Sequence, residues 1–387
     1  MLRRLFILFI SVTILLILYP FSSSAAALPG DANGDNKVDG LDYVIWLNNY
    51  NKTTNNGISD GDFDNSGKVD GLDYVIWLNN YGSTDPGNKT PTPTQPVGNQ
   101  PYRAFSADSY WNTPFPDNSP IDPNNAKYIA DSQNSSHTQN FLQFTAAPGT
   151  SQAFGQPIYW AKASDKLYTI TDGSRTVQVH IPANARPASG SDGQITIYDK
   201  STDQVVGMSG ASYNSSSDKW TVGGSIDRYI LSSNGLDSNA AGSNDSRNTG
   251  HRGTTSAVRA VRVDEVQKGI INHRLACFWW ATGVQTVNHY WPMVGDEGAK
   301  GGIVPEGIVI RIKPNVNLAS KGLSQPALVI AKALQDYGCL ITDNSGSGNR
   351  LKVELNEAAW QQIGLTYDAL SPLPWSDWQF VKGGYQP

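Results

Sequence analysis

The string KVDGLDYVIWLNNY fills residues 37–50 and recurs unchanged at residues 68–81, an internal repeat with an offset of 31 residues. Whatever one copy folds into the other must fold into as well, so this part of the chain is confined to two equivalent halves. Each copy is entered through an oxygen-rich stretch. Counted as twelve-residue loops, the first places Asp31, Asn33, Asp35, Lys37, Asp39 and Asp42 at positions one, three, five, seven, nine and twelve. The second places Asp62, Asp64, Ser66, Lys68, Asp70 and Asp73 there. From those positions a loop wraps a hard cation in oxygen, position seven through its backbone carbonyl, so that a lysine there does no harm. Four carboxylates per loop suit a divalent charge, and the expected cofactor is Ca2+, two ions, one per loop. Each loop then feeds an apolar helix, residues 41–50 or 72–81. A surface loop rich in Asp and Asn accounts for one such stretch, but poorly for two in register with identical helices behind them. The last ligand is Asp rather than Glu. Asn36 stands where glycine would ease the turn, and asparagine tolerates that left-handed backbone.

One pair of calcium loops, Asp at the last position and a single helix after each loop together resemble a type I dockerin over residues 31–81, about an eighth of the chain. The resemblance implies a small all-α module that needs Ca2+ to fold, a cohesin-like partner on a scaffold or cell surface, and an association with polysaccharide-degrading enzymes. The two positions after the ninth loop residue, where the family often carries Ser-Thr-like pairs that meet cohesin, are Gly40-Leu41 and Gly71-Leu72. A known cohesin specificity therefore does not carry over. Identical halves imply a pseudo-two-fold surface on which a partner can dock in two orientations.

The chain opens with Arg3 and Arg4, an apolar run over residues 5–19, and small residues up to Ala27. This is the order of a secretory signal, expected over residues 1–27, and the expected location is secreted or cell-surface. The apolar run is shorter than the roughly 20 residues of a membrane span, so a membrane is reached only if that segment is retained as an anchor. After the calcium module (residues 28–81), residues 82–100 are rich in Pro, Thr, Gly and Asn and read as an extended linker. Residues 101–387 have the composition of a large globular domain. Charged residues make up 16% of the chain and the net charge is −5, without the basic face of a nucleic-acid binder, so no nucleic-acid partner is expected. Cys277 and Cys339 are the only cysteines; they are read either as a disulfide of an oxidising compartment or as two buried thiols.

In the large domain, residues 176–181 and 194–198 alternate apolar and polar as half-buried strands do, residues 274–280 are apolar on both faces, and residues 307–312 carry isoleucines on one side. Residues 324–338 hold one amphipathic helix, entered at Pro326 and stopped by Gly338, and a helical turn is expected at 263–268. The fold class is thus multidomain: the small all-α calcium module plus a mainly β domain, β-sandwich or jelly-roll-like, with a few helices.

The large domain carries neither a Gly-x-Ser-x-Gly elbow nor a His-Glu-x-x-His pair. Glycoside hydrolysis needs an acid and a base or nucleophile flanking the bond. Glu306 and Asp192, each just before a strand, are the carboxylate candidates, with Asp296 and Glu297 behind them. His251, in a polar turn with Arg252, and His289, among Tyr290 and Trp291, complete the catalytic set. A polysaccharide lyase would use a His or Tyr base with an arginine that neutralises a uronate, which points to His251, Arg252 and Tyr290. His180 faces a cleft or water, His273 reads as structural, and His137 lies in a featureless polar loop. Nine tryptophans in this domain (Trp111, Trp160, Trp220, Trp279, Trp280, Trp291, Trp360, Trp375 and Trp378) divide between core and a sugar-stacking surface. The expected activity is polysaccharide degradation by hydrolysis of O-glycosyl bonds, with polysaccharide as partner. The alternatives are a non-catalytic carbohydrate-binding or envelope-structural protein, and a peptidase or its inhibitor.

Overall fold

Residues 28–81, 101–134, 140–254, 258–283, 288–298, 300–346 and 348–387 are described by a computed structural model, in which the chain divides into two compact units, residues 1–92 and 93–387. The signal segment, the linker and His137 lie outside the described residues.

In the small unit, helices α1 (Gly40–Asn49) and α2 (Gly71–Asn80) follow the two loops. The repeat is visible in the cross-links. The indole of Trp46 donates to the carbonyl of Asp70 at 2.9 Å, and that of Trp77, 31 residues on, to the carbonyl of Asp39 at 2.8 Å. Each helix thereby ties down the loop of the other half. Ala32, Val38, Trp46, Phe63, Val69 and Trp77 form the core. Val38 and Val69 are fully buried, a burial that stabilises the module by about 2 kcal/mol apiece. Asp39 caps α1 by accepting from the Leu41 amide at 2.8 Å.

The large unit is mainly β with a few helices. Helix α3 (Asn125–Ser132) precedes strands β1 (Gln143–Phe144), β2 (Ile158–Ala161), β3 (Lys166–Thr171), β4 (Thr176–Ile181), β5 (Ile195–Asp199), β6 (Gln204–Met208), β7 (Ala211–Asn214), β8 (Lys219–Val222) and β9 (Ile226–Ile230). Helix α4 (Val263–Gln267), β10 (Leu275–Trp280), β11 (Val309–Ile312), helix α5 (Gln325–Asp336), β12 (Cys339–Ser345), β13 (Arg350–Leu351), helix α6 (Glu357–Gln362) and β14 (Trp378–Val381) follow. One sheet has six strands in the order β1-β13-β10-β12-β11-β14, another four in the order β2-β5-β6-β9, and β3-β4 and β7-β8 are two-stranded.

Alternation along the strands divides the side chains between two cores. Leu275, Cys277 and Trp279 on β10, Ile310 and Ile312 on β11, and Cys339 and Ile341 on β12 face the core that contains Ala327, Ile330, Ala331 and Leu334 of α5. Val309, Leu340 and Val381 face the other way and share a second core with Tyr198, Val205 and Tyr229 of the four-stranded sheet. A jelly roll is antiparallel throughout, whereas β10 pairs in parallel with β12, and β1 with β13. The stretch from β10 to β12 runs through β11 and α5, and a connection of that length lets two neighbours run in the same direction.

Cys277 and Cys339 form a disulfide across β10 and β12, both side chains fully buried. It closes a loop of sequence separation 62, for which chain entropy gives about 4 kcal/mol. The double variant Cys277→Ala/Cys339→Ala should lose about 2–4 kcal/mol, read as a lower urea midpoint; an unchanged midpoint would mean that the bond constrains little.

Candidate functional site

Three carboxyl groups converge on one guanidinium at the end of the six-stranded sheet where the parallel strands β10 and β12 finish. Arg252 places Nη1 3.3 Å from Glu306 Oε2, and Nη2 3.3 Å from Glu297 Oε1 and 3.2 Å from Asp343 Oδ1. Thr282, just beyond β10, donates its hydroxyl to Glu306 at 3.4 Å, and the Glu297 amide points at the same oxygen at 3.4 Å.

Each partner is delivered by a local backbone device. Arg252 sits in a left-handed conformation, φ 59°, unusual for a side chain of its size. The turn that holds it is fixed by the His251 amide donating to Asp227 at 2.6 Å and the Val294 amide donating to the Arg252 carbonyl at 3.0 Å. Glu306 is carried into place by the amide of Tyr290 donating to its carbonyl at 2.9 Å, and by Gly307 at φ 82°. A Cβ on Gly307 would stand 2.1 Å from the Tyr290 carbonyl oxygen, so only glycine fits. Asp343 owes its direction to a bulge. The register of β12 on β10 steps from Ile341 opposite Cys277 to Asp343 opposite Phe278. The extra residue, Thr342, turns Asp343 off the helix-facing core side that Cys339 and Ile341 occupy and onto the side of Phe278.

The cluster is graded in exposure: the side chain of Glu306 is 1% exposed, Arg252 9%, Glu297 30% and Asp343 36%. A substrate can therefore touch Glu297 and Asp343 but not Glu306. Burial pushes the Glu306 carboxyl up to about 7, against the pull of Arg252 and with the Asp343 charge adding to the rise. Burial, and then the neighbouring Asp343 carboxylate, also raise Glu297. Beside them, His289 Nδ1 lies 2.7 Å from Asp296 Oδ2, and Asp296 is held below the usual carboxylate range by that histidine. In the tautomer that carries its proton on Nδ1, the ring donates that hydrogen bond to Asp296, and Nε2 is the nitrogen that can accept.

A folded-state carboxyl near 7 binds its proton more tightly than the unfolded chain does, at about 4.5. The folded protein keeps that proton between the two values, so stability falls as pH rises through this window, by on the order of 3 kcal/mol. Glu306→Gln, uncharged throughout, should flatten the decline and be at least as stable as the parent at about pH 8. Urea midpoints at the two ends of the window check this, and a variant that declines as steeply as the parent disproves it.

Of the sequence candidates, Glu306, His289, Asp296, Glu297 and Arg252 are brought to one place, and His251 adjoins them through Arg252. Burial and the Arg252 charge lower the His251 pKa. Asp192 is exposed in the turn before β5 and none of the Arg252 ion pairs involves it, so it stands outside the cluster. The expectation that Arg252 is open to a substrate uronate is corrected: its guanidinium is taken by three carboxylates of the chain itself. Tyr290 packs against the helix-facing core. His273 is structural, bonded to Glu265 at 2.8 Å and buried. His180 and Ser201 both address Asp199, but Ser201 meets the same His180 nitrogen as the aspartate does, which leaves no relay. Trp111, Trp220, Trp279, Trp360, Trp375 and Trp378 are buried, Trp280 and Trp291 half-buried, and Trp160 is 39% exposed, so no flat tryptophan platform forms. Sequence reasoning missed Asp343, Thr282 and Asp227; Asp343 in particular reads as an ordinary strand end until the bulge is known.

In the small unit, Asp31 accepts from the amides of Gly34 (2.7 Å) and Asn36 (2.8 Å), and Asp42 from Ala32 (2.9 Å) and Asp39 (2.8 Å). Asp62 and Asp73 repeat this with Gly67 (2.9 Å) and Asp70 (2.8 Å). Carboxylate oxygens of Asp62, Asp64 and Asp73 come within 4.8 Å of one another. In the first loop Asn33 takes the place of Asp64, one carboxylate fewer at the corresponding corner. Burial, and among the charges Asp64, raise Asp73. Asn36 adopts φ 62° and Gly67 φ 83°, the left-handed residues at loop position six. Among the described residues no helix is long and apolar enough to cross a membrane. Against family models, curated proteins and solved structures, the chain finds no match.

Proposed function

We propose that this chain is an exported, calcium-binding protein of dockerin type whose large domain hydrolyses O-glycosyl bonds in a polysaccharide. The observation that carries the enzymatic part is the Arg252 cluster: three carboxyl groups around one guanidinium, opening to solvent at Glu297 and Asp343. In this reading Glu297, whose carboxyl is favoured in its protonated form, gives its proton to the leaving oxygen. Asp343 and Arg252 set that proton's affinity, and the buried Glu306 is a positioning residue for Arg252. His289, aligned by Asp296, accepts a proton from the attacking water. A lyase acting on uronates is disfavoured because both Nη atoms of Arg252 are already paired with carboxylates and its side chain is only 9% exposed.

The tethering part is supported by the two pseudo-symmetric oxygen-lined loops, which would hold one Ca2+ each. The outer side of α1, where Leu41, Val44 and Leu47 stay 62%, 48% and 50% exposed, is an apolar stripe of the kind a cohesin-like partner covers. The buried disulfide suits an oxidising compartment and hence export. We read the two facing sheets as a β-sandwich extended by a helical layer.

The test is a reducing-end assay of the full chain, with calcium present, against neutral and acidic polysaccharides, with Glu297→Gln in parallel. Products from the parent and few from the variant support the reading. Unsaturated ends would mark a lyase, and parent and variant equal in activity would remove the cluster from the chemistry.

A further inference from the structure

We propose that the Arg252 site accepts glycans that carry no carboxylate or sulfate groups, and that polyuronates and sulfated polymers are turned away. The inference rests on the hydrolytic reading for what happens to the substrate, but not for which substrate is admitted.

The charge balance around Arg252 is the argument. Arg252 is already paired with Glu297, Glu306 and Asp343, and Asp296 adds a further carboxylate beside His289. Glu297 holds its proton as the acid of the proposed reaction, so Asp343 and Asp296 carry the argument, while the guanidinium behind Asp343 is 9% exposed and already bonded to it. Lys352 belongs to the same neighbourhood but is turned inward: it is 3% exposed, its Nζ is 2.6 Å from Gln194 Oε1 and 4.6 Å from the Phe278 ring centre. Lys300, an exposed residue whose charge is felt by Glu297, offers one cation at the rim. It is one cation against the two carboxylates Asp343 and Asp296. An anionic sugar unit seated here would lose its hydration against like charges without gaining a guanidinium clamp, which is how carboxylates are usually recognised. An uncharged sugar keeps hydroxyls that carboxylates accept from directly.

The experiment uses the full chain with calcium and polymers in matched pairs that differ in charge: methyl-esterified and de-esterified homogalacturonan, carboxyl-reduced and native glucuronoxylan, hydroxyethyl and carboxymethyl cellulose. Retardation in affinity electrophoresis and release of reducing ends are both read. The uncharged member of a pair should be bound at least about tenfold more tightly at low salt. The gap should narrow as ionic strength approaches about 1 M, where the screening length falls to about 3 Å. Asp343→Asn should narrow it as well, which a repulsion arising elsewhere on the surface would not reproduce. Equal or tighter binding of the charged members, or retardation by none of the uncharged polymers, overturns the inference. Binding of the uncharged members without cleavage upholds this selectivity and removes the hydrolytic reading. Cleavage of the charged members does the reverse.

Discussion

Chelating calcium should unfold residues 28–81 and leave residues 101–387 folded. The module has a core of six buried apolar side chains, and units this small are usually marginal without a metal or another staple. The second loop also concentrates charge: carboxylate oxygens of Asp62, Asp64 and Asp73 lie within 4.8 Å of one another. Without a cation, like charges this close repel one another. With Ca2+ the same repulsion becomes ligation, so the free energy of binding is largely the free energy of folding. Hydrogen exchange read segment by segment is the suitable measurement, because it reports on the two units separately. Full loss of protection over 28–81 on adding a chelator, with none over the large domain, is the expected pattern. Retained protection in the module would sink the calcium assignment, and simultaneous loss in both units would show that they depend on each other. Asp42→Ala or Asp73→Ala should each weaken calcium binding by at least about 100-fold, since each removes a buried carboxylate that also closes its loop.

Glu297→Gln should lower kcat by about 10²–10⁴, the usual range for losing a general acid, with KM little changed. The glutamine keeps the shape and hydrogen-bonding reach of the side chain but has no proton to give. Because the protonated form is the working one, the parent's rate should fall as pH rises through the raised Glu297 pKa, and that limb of the profile should vanish in the variant. His289→Ala should also lower kcat, because it removes the group that accepts the water's proton. A Glu297→Gln variant with a lower rate but that limb intact would assign Glu297 a structural role. Loss of activity together with a lower urea midpoint would be resolved by Glu297→Asp, which restores the acid with a shorter reach.

The duplicated loop-and-helix unit was legible because its information is local: the helix follows from the same repeat, and the left-handed Asn36 could be read from its position. The ligand spacing is set within one loop, and calcium itself is the expectation that chelation tests. The strands at 176–181, 274–280 and 307–312 and the helix at 324–338 were equally plain, since alternation and 3.6-residue periodicity are properties of short segments. The disulfide was open to either reading in the sequence; it required knowing that β10 and β12 are neighbours.

The catalytic candidates mark the boundary. Glu306, His289 and Glu297 were picked out from their contexts, but nothing local reveals that Glu306 is sealed beneath the surface, that Asp192 lies outside the cluster, or that Arg252 is already committed to three carboxylates. Asp343 escaped altogether, because its direction depends on a one-residue bulge against β10. What the sequence determined by itself is therefore the repeat, its two oxygen-rich loops, and the positions of the main strands and helices, all governed by neighbours within a few residues. The tertiary structure alone decided which charged groups meet, how deeply each is buried and which face the bulge presents, because long-range strand register and desolvation depend on residues far apart in the chain.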